Sequence, residues 1–405
     1  MTDAPPPVAP PSAGAGRDTL LVGQAGGPTP VINSSLVGII RAARAAGFRR
    51  ILGLRYGIHG LLREEFADLT ALDDDTLQRL AHTPSAALGA CRHRLSPAEI
   101  DHCLATLAKV GAHTFLYIGG NDSADTSHRI ARAAAATGDP VRVIAVPKTI
   151  DNDLPGTDHC PGYGSVARYV AVSTLESTLD TRAMPETYPV KVIEVMGRYA
   201  GWIVAAAALA RTVDPTTPHL IYVPERPFDL ERFLGDVDGA MARGGEAIIV
   251  ISENVRDAEG NYPSGKDAVF VDSFGHAYYP GPAETLCRLL RERLDLRARF
   301  DKPGTLQRMS GALMSEVDRV EAEEAGRAAV LAALEGITDA MVCFRRPAGG
   351  PYRIEIAFTP LDQIANTERK LPDEFINAAA NDITDAFIEY ALPLIGGPLP
   401  QYVRL

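Results

Sequence analysis

A chain of 405 residues, 46 % of them hydrophobic, is long enough for two or three domains with sizeable cores. Its 40 Lys and Arg against 51 Asp and Glu leave a net charge of −11, which argues against nucleic acid or an anionic membrane as partner and requires any anion site to be built locally. No apolar run is long enough to read as a membrane span, and five scattered cysteines, odd in number and without C-x-x-C spacing, fit reduced thiols in a cytoplasm.

Residues 1–17 are mostly Pro, Ala and Gly and read as a disordered tail. The apolar run 18–23 predicts a strand, followed by a loop carrying Gly26 and Gly27; Asn33 is placed to cap a helix over 34–46 that Gly47 ends. Residues 50–54 read as the next strand, completing a βαβ unit. The pattern returns with a strand at 113–118, a helix at 124–137 ended by Gly138, and a strand at 141–146. Further units follow: a strand at 190–196, a helix at 201–210, and strands at 219–223 and 247–252. This alternation is that of an α/β protein with two mainly parallel sheets, each covered by helices on both faces. Residues 254–266, rich in Gly, Asp and Asn, read as a surface excursion, and 371–390 as an amphipathic closing helix.

Two loops carry the chemistry. Gly119-Gly120-Asn121-Asp122-Ser123 and Pro147-Lys148-Thr149-Ile150-Asp151-Asn152-Asp153 each follow a predicted strand, so each opens at the carboxyl end of a parallel sheet, where such proteins bind ligands. The first offers main-chain amides at a helix start, with Ser123 and two side chains able to meet a cation, which suits phosphate and Mg²⁺; the same residues could simply cap the helix. The second offers the carboxylates of Asp151 and Asp153 and the ammonium of Lys148, suited to proton removal and charge neutralisation; alone, D-x-D could be a solvated turn. Gly26-Gly27 could face an anion or merely turn the chain. Met196-Gly197-Arg198 ends another predicted strand with an arginine that could clamp a phosphate, and Glu253 follows a further one.

These motifs, with Leu88-Gly89-Ala90-Cys91-Arg92, Gln307-Arg308 and Asp318-Arg319, occur in an order that resembles the phosphofructokinase family, and more closely its diphosphate-dependent branch, from about Leu20 to Arg319. The resemblance implies two Rossmann-like domains with the active site in the cleft between them: a phosphoryl-donor domain of 18–165 plus about 305–370, and a sugar-phosphate domain of 166–304 plus about 371–405. It implies reversible transfer from diphosphate to the 1-hydroxyl of fructose 6-phosphate, with Mg²⁺, in a homodimer or homotetramer. Asp151 becomes the base, with Lys148, Asp122 and Asp153 beside it in the catalytic set. Gly26, Gly27, Arg92, Gly120 and Ser123 meet the donor. Thr149, Met196, Gly197, Arg198, Glu253, Thr305 and Arg308 belong to the sugar site, and Arg299 reaches it across a subunit interface. Asn121 stands at the metal position, and Lys191 is a substitute for a second interfacial arginine.

Three departures from the ATP-using pattern point to diphosphate. Asp122 and Lys148 stand where ATP users carry glycine, and Ile58 where an aromatic ring would lie against adenine. A carboxylate about 4 Å from a nucleotide α-phosphate costs roughly 4 kcal/mol at an effective dielectric near 20, a penalty that diphosphate escapes. Lys148 would stabilise the charge of the transferring group. An ATP-dependent enzyme and a non-catalytic metabolite-binding homologue are the alternatives.

Overall fold

The computed structural model describes residues 18–265, 270–271, 277–278 and 280–405, so the tail expected at 1–17 lies outside the described residues. The apolar runs form strands in the expected order: β1 (Thr19–Gln24), β2 (Arg50–Leu54), β3 (Phe66–Asp68), β4 (Ala112–Gly119), β5 (Arg142–Pro147), β6 (Val190–Val195), β7 (Leu220–Tyr222) and β8 (Ala247–Ser252). A short antiparallel pair, β9 (Phe270–Val271) and β10 (Ala277–Tyr278), is followed by β11 (Ala298–Asp301), β12 (Ala340–Arg345) and β13 (Glu355–Pro360).

They build two main sheets. The seven-stranded one runs β13-β12-β5-β4-β1-β2-β3, and the four-stranded one β11-β6-β8-β7. The smaller sheet is parallel throughout; the larger is parallel except for its edges, where β3 and β13 each return antiparallel beside their neighbour in sequence. Central strands such as β1 and β8 are buried along their whole length, as continuous apolar strands between helical layers must be.

Helix packing sets the spacing. The helix Ile32–Ala45 crosses Glu316–Leu334 with main chains nearly touching: a Cβ on Gly38 would lie 1.9 Å from the Glu323 carbonyl oxygen, and one on Gly326 2.0 Å from that of Ser35. Only glycine fits at that crossing. Asn33 is not the cap expected of it. It lies within the helix, fully buried, where its amide donates to the carbonyls of Thr83 and Ser85 at 2.8 and 2.7 Å and its oxygen accepts from Gln24; the loop over the helix start takes up the side chain instead of the helix N-terminus.

The closing helix expected over 371–390 is mostly absent. Pro372 is followed by a 3-10 turn, Asp373–Phe375, and the α-helix covers only Asp385–Ala391. Between them the Asn377 side chain accepts from the amides of Asn381 and Asp382, a local bond that competes with helix. The apolar residues that gave the periodicity, Phe375, Ile376, Ile383 and Phe387, still reach one core with Trp202 and the helix Tyr163–Ala183. The helix expected at 201–210 is α over Trp202–Ala205 and tightens to 3-10 over Ala206–Thr212.

Candidate active site

Sheet order brings the loops together. β1, β4 and β5 are neighbours in the large sheet, so the turns after them, at Gly26, Gly120 and Lys148, open side by side; β6 and β8 are neighbours in the small one, so Met196–Arg198 and Glu253 do likewise. The two groups face a common cleft. Its wall holds Gly26, Gly27, Arg92, Gly120, Asn121, Asp122, Ser123, Lys148, Thr149, Asp151, Asp153, Met196, Gly197, Arg198, Glu253 and Arg308. Thr305 and Arg299 lie outside it: Thr305 is exposed on the 3-10 turn Gly304–Arg308, and Arg299 sits on edge strand β11 with its guanidinium 3.9 Å over the Tyr188 ring.

On the side of the large sheet, Gly26 takes a left-handed φ of 69°, and the Lys148 ammonium donates to the Gly27 carbonyl at 2.7 Å. Gly120 opens the helix Asn121–Thr137 without a side-chain cap, and a Cβ on Gly119 would fall 2.2 Å from the Ser123 hydroxyl, so the helix start sits tight on the strand end. A long helix beginning at such a turn presents main-chain amides to an anion.

The aspartate loop turns sharply. Asn152 is fully buried with φ 54°, its amide donating to the Tyr390 hydroxyl at 3.0 Å and its oxygen accepting from the Cys160 amide at 2.9 Å. This left-handed residue lets Asp151 and Asp153 both face the cleft. Arg198, itself left-handed at φ 50°, brings its guanidinium to 3.9 Å from Asp151, while Glu253 accepts from the amides of Gly197 and Arg198 at 3.3 Å each. Gln307, buried, receives the Met196 amide at 3.2 Å. Arg308 reaches so close to Gly27 that a Cβ there would lie 2.9 Å from its Nη1.

Burial dominates the electrostatics. It raises the Asp151 carboxyl, against the opposing pull of Arg198, and raises Asp153 to about 7 with help from the neighbouring Asp151 charge. Burial likewise lowers Lys148 to about 8, which the Asp151 charge partly offsets. Glu253 is also raised by burial, moderated by the two amides it accepts. The cleft therefore holds an acid and a cation that both titrate near neutrality.

Other residues stand differently from the sequence reading. Both polar atoms of Asn121 are engaged: its oxygen accepts from the Asn366 amide at 2.6 Å and its nitrogen donates to the Thr367 carbonyl, so the side chain placed at the metal position is turned to protein instead. Lys191 is buried between Asp180 and Asp301 at 3.2 and 3.1 Å, so its charge is already neutralised and does not substitute for an interfacial arginine. Ile58 is a core residue whose amide donates to the Tyr117 hydroxyl; Tyr117 itself lines the cleft, as do His93 and Cys91. Asp318 is not in the cleft: it accepts from the amides of Gly162 and Ser165 at the start of the helix Tyr163–Ala183.

Residues 19–333 match the family model described as Phosphofructokinase. The chain belongs to the phosphofructokinase family. A curated relative in Xanthomonas campestris pv. campestris, named pyrophosphate–fructose 6-phosphate 1-phosphotransferase, is 41 % identical over 95 % of this chain and 96 % of its own length. A relative of the same name in Methylococcus capsulatus is 38 % identical over 94 % of both chains. The solved structure of a pyrophosphate-dependent phosphofructokinase from Nitrosospira multiformis superposes with a TM-score of 0.86 at 36 % identity, covering 95 % of this chain and 94 % of that one.

Phosphofructokinases generally act with a divalent cation. Among the described residues no group of His, Cys, Asp and Glu forms a cage for a metal. The donor set nonetheless fits a cation: Asp153 is a buried acid raised by burial and by the Asp151 charge, and Asp122 lines the same cleft, so a divalent charge would offset the acids gathered there.

Proposed function

We propose that this chain transfers a phosphoryl group reversibly between diphosphate and the 1-hydroxyl of fructose 6-phosphate, giving fructose 1,6-bisphosphate and phosphate. The observation that carries the reading is the position of Lys148: buried, bonded to the donor-side Gly27 carbonyl and electrostatically coupled to Asp151, it joins the phosphate turn to the acid loop. The names of the relatives support the same substrates.

In this reading the diphosphate lies against Gly26, Gly27, Gly120, Ser123 and Arg92, where the start of the helix Asn121–Thr137 favours negative charge. Fructose 6-phosphate lies against Thr149, Met196, Gly197, Arg198, Glu253 and Arg308. The 1-hydroxyl oxygen attacks the terminal phosphorus, the bridging P–O bond breaks, and phosphate leaves. Asp151 takes the hydroxyl proton and returns it in the reverse direction; burial, which raises its carboxyl, makes it a stronger proton acceptor. Lys148 and Arg198 stabilise charge on the transferring group. Mg²⁺, held by Asp153 and Asp122, would neutralise the diphosphate oxygens. Asp122 on the cleft wall opposes a nucleotide α-phosphate.

We assign residues 18–165 with about 305–370 to the phosphoryl donor and 166–304 with about 371–405 to the sugar phosphate. The protein acts as a homodimer or homotetramer in the cytoplasm, Arg299 completing the sugar-phosphate site of a neighbouring copy. The exposed position of Arg299 on an edge strand, with Phe300, Leu306 and Met309 exposed in the same stretch, supports such an interface.

The test is Asp151→Ala. Turnover should fall by about 10² to 10⁴ while sugar binding changes little, and activity within about threefold of wild type would remove Asp151 from the base role.

A further inference from the structure

The aspartate loop is held from behind by a residue far from every sequence motif. Arg369 lies 217 residues beyond Asn152, and its Nε and Nη2 donate to the Asn152 carbonyl at 3.2 and 2.8 Å. Its Nη1 donates to the carbonyls of Thr157 and Asp158 at 2.6 and 2.8 Å, and its main-chain amide to the Asp153 carbonyl at 2.7 Å. The guanidinium stacks 4.5 Å over the Trp202 ring, whose indole N–H returns a bond to the Arg369 carbonyl at 3.2 Å. Among the described residues the hydrogen bonds that Arg369 donates thus end on main-chain carbonyls of this one loop, the side-chain ones gathered by a planar fork that lysine cannot reproduce.

The neighbours of Arg369 extend the tie. Asn366 and Thr367 hold Asn121 at the start of the phosphate-facing helix. Lys370 donates to the Tyr199 carbonyl at 2.7 Å, and the Leu371 amide to Glu225 at 2.9 Å, beside the turn that carries Arg198. A single strap, 366–371, therefore touches the donor loop, the acid loop and the sugar-side turn. Its centre fixes the peptide between Asp151 and Asp153, and the left-handed Asn152 makes the aim of both carboxylates depend on that peptide's orientation.

We propose that Arg369 is a positioning residue for phosphoryl transfer: through the Asn152 carbonyl it holds the turn that aims Asp151 at the acceptor hydroxyl, and the strap around it keeps that turn in register with the donor loop. The proposal rests on Asp151 being the base. Misplacing a base by about 1 Å slows the chemical step by up to about a hundredfold without loosening substrates bound elsewhere in the cleft.

The test is steady-state kinetics of Arg369→Ala and Arg369→Lys beside Asp151→Ala, each checked for native folding by circular dichroism and thermal melting. Both Arg369 variants should lose about tenfold to a hundredfold in kcat while KM for fructose 6-phosphate and diphosphate stays within about threefold, and added guanidinium at low concentration should restore part of the kcat of Arg369→Ala but not of Asp151→Ala. Should Arg369→Ala not fold, Arg369→Lys, which keeps the charge and loses the fork, carries the same test. If Asp151→Ala is inactive while the folded Arg369 variants turn over within about threefold of wild type, the proposal alone is overturned. If Asp151→Ala retains wild-type kcat, the base assignment falls and the proposal falls with it.

Discussion

Replacing Lys148 with methionine should make the protein more stable and nearly inactive. Lys148 is 4 % exposed, and burial lowers its pKa from 10.5 to about 8. Between those values the unfolded chain binds more protons than the folded one, so stability rises with pH across that window, and below it the folded state carries the whole penalty of a buried charge. At about 1.4 kcal/mol per pH unit, the distance from 10.5 to about 8 amounts to a penalty of about 3 kcal/mol at neutral pH. Methionine fills much the same volume without the charge, but leaves the Gly27 carbonyl without its 2.7 Å donor, a loss of about 1 kcal/mol. The net expectation is a gain of about 2 kcal/mol at about pH 7 that disappears by about pH 10.5. Loss of the cation should lower kcat with diphosphate by about 10² to 10³. Thermal melting of wild type and Lys148→Met without substrates, at neutral and alkaline pH, reads the first effect, and turnover assays the second. A variant that melts below wild type at neutral pH, or that keeps kcat within about threefold, would refute the reasoning.

Asp153→Asn removes the acid that burial and the Asp151 charge raise to about 7, so a limb of the kcat/KM profile that Asp153 sets near that pH should vanish; a limb that persists there would assign it to another group. The same variant should weaken the apparent affinity for Mg²⁺, read by titrating the metal at fixed diphosphate. Gly326→Ala pushes a Cβ to 2.0 Å from the Ser35 carbonyl oxygen and should destabilise by at least about 2 kcal/mol, seen as a lower melting temperature; an unchanged one would mean that the helix crossing yields. Arg299→Ala should raise KM for fructose 6-phosphate more than for diphosphate, and mixing it with Asp151→Ala should restore some activity if the arginine serves a neighbouring copy; verified hybrids without recovery would remove it from a shared site.

The lining of the candidate cleft was largely legible because its residues follow strand ends. In a parallel sheet, the loops after Gln24, Gly119, Pro147, Val195 and Ser252 converge for topological reasons, so local motifs were enough to place Gly27, Asp122, Lys148, Asp151, Arg198 and Glu253 on one cleft. What the sequence hid depends on distant contacts. Arg369 and the strap around it carry no motif, and their importance comes from meeting a loop more than two hundred positions away. Asn33 had the chemistry of a cap, yet a loop packed over the helix start claimed its side chain. The helical periodicity of 371–390 was real as burial, but Pro372 and the Asn377 side-chain bonds turned the same apolar residues into a folded-back segment. Ile58 stood at the sequence position of an adenine platform but is enclosed in the core, while the Tyr117 hydroxyl takes its amide and the Tyr117 side chain joins the cleft wall.

Comparing diphosphate with ATP at saturating fructose 6-phosphate and Mg²⁺ tests the identity of the donor most directly. Discounting the like-charge penalty at Asp122 for screening by solvent and cation, kcat/KM should favour diphosphate by at least about a hundredfold, and Asp122→Gly should narrow that ratio by admitting ATP while Lys148 still serves diphosphate. A wild-type enzyme that prefers ATP, or a donor ratio that Asp122→Gly leaves unchanged, would contradict the account.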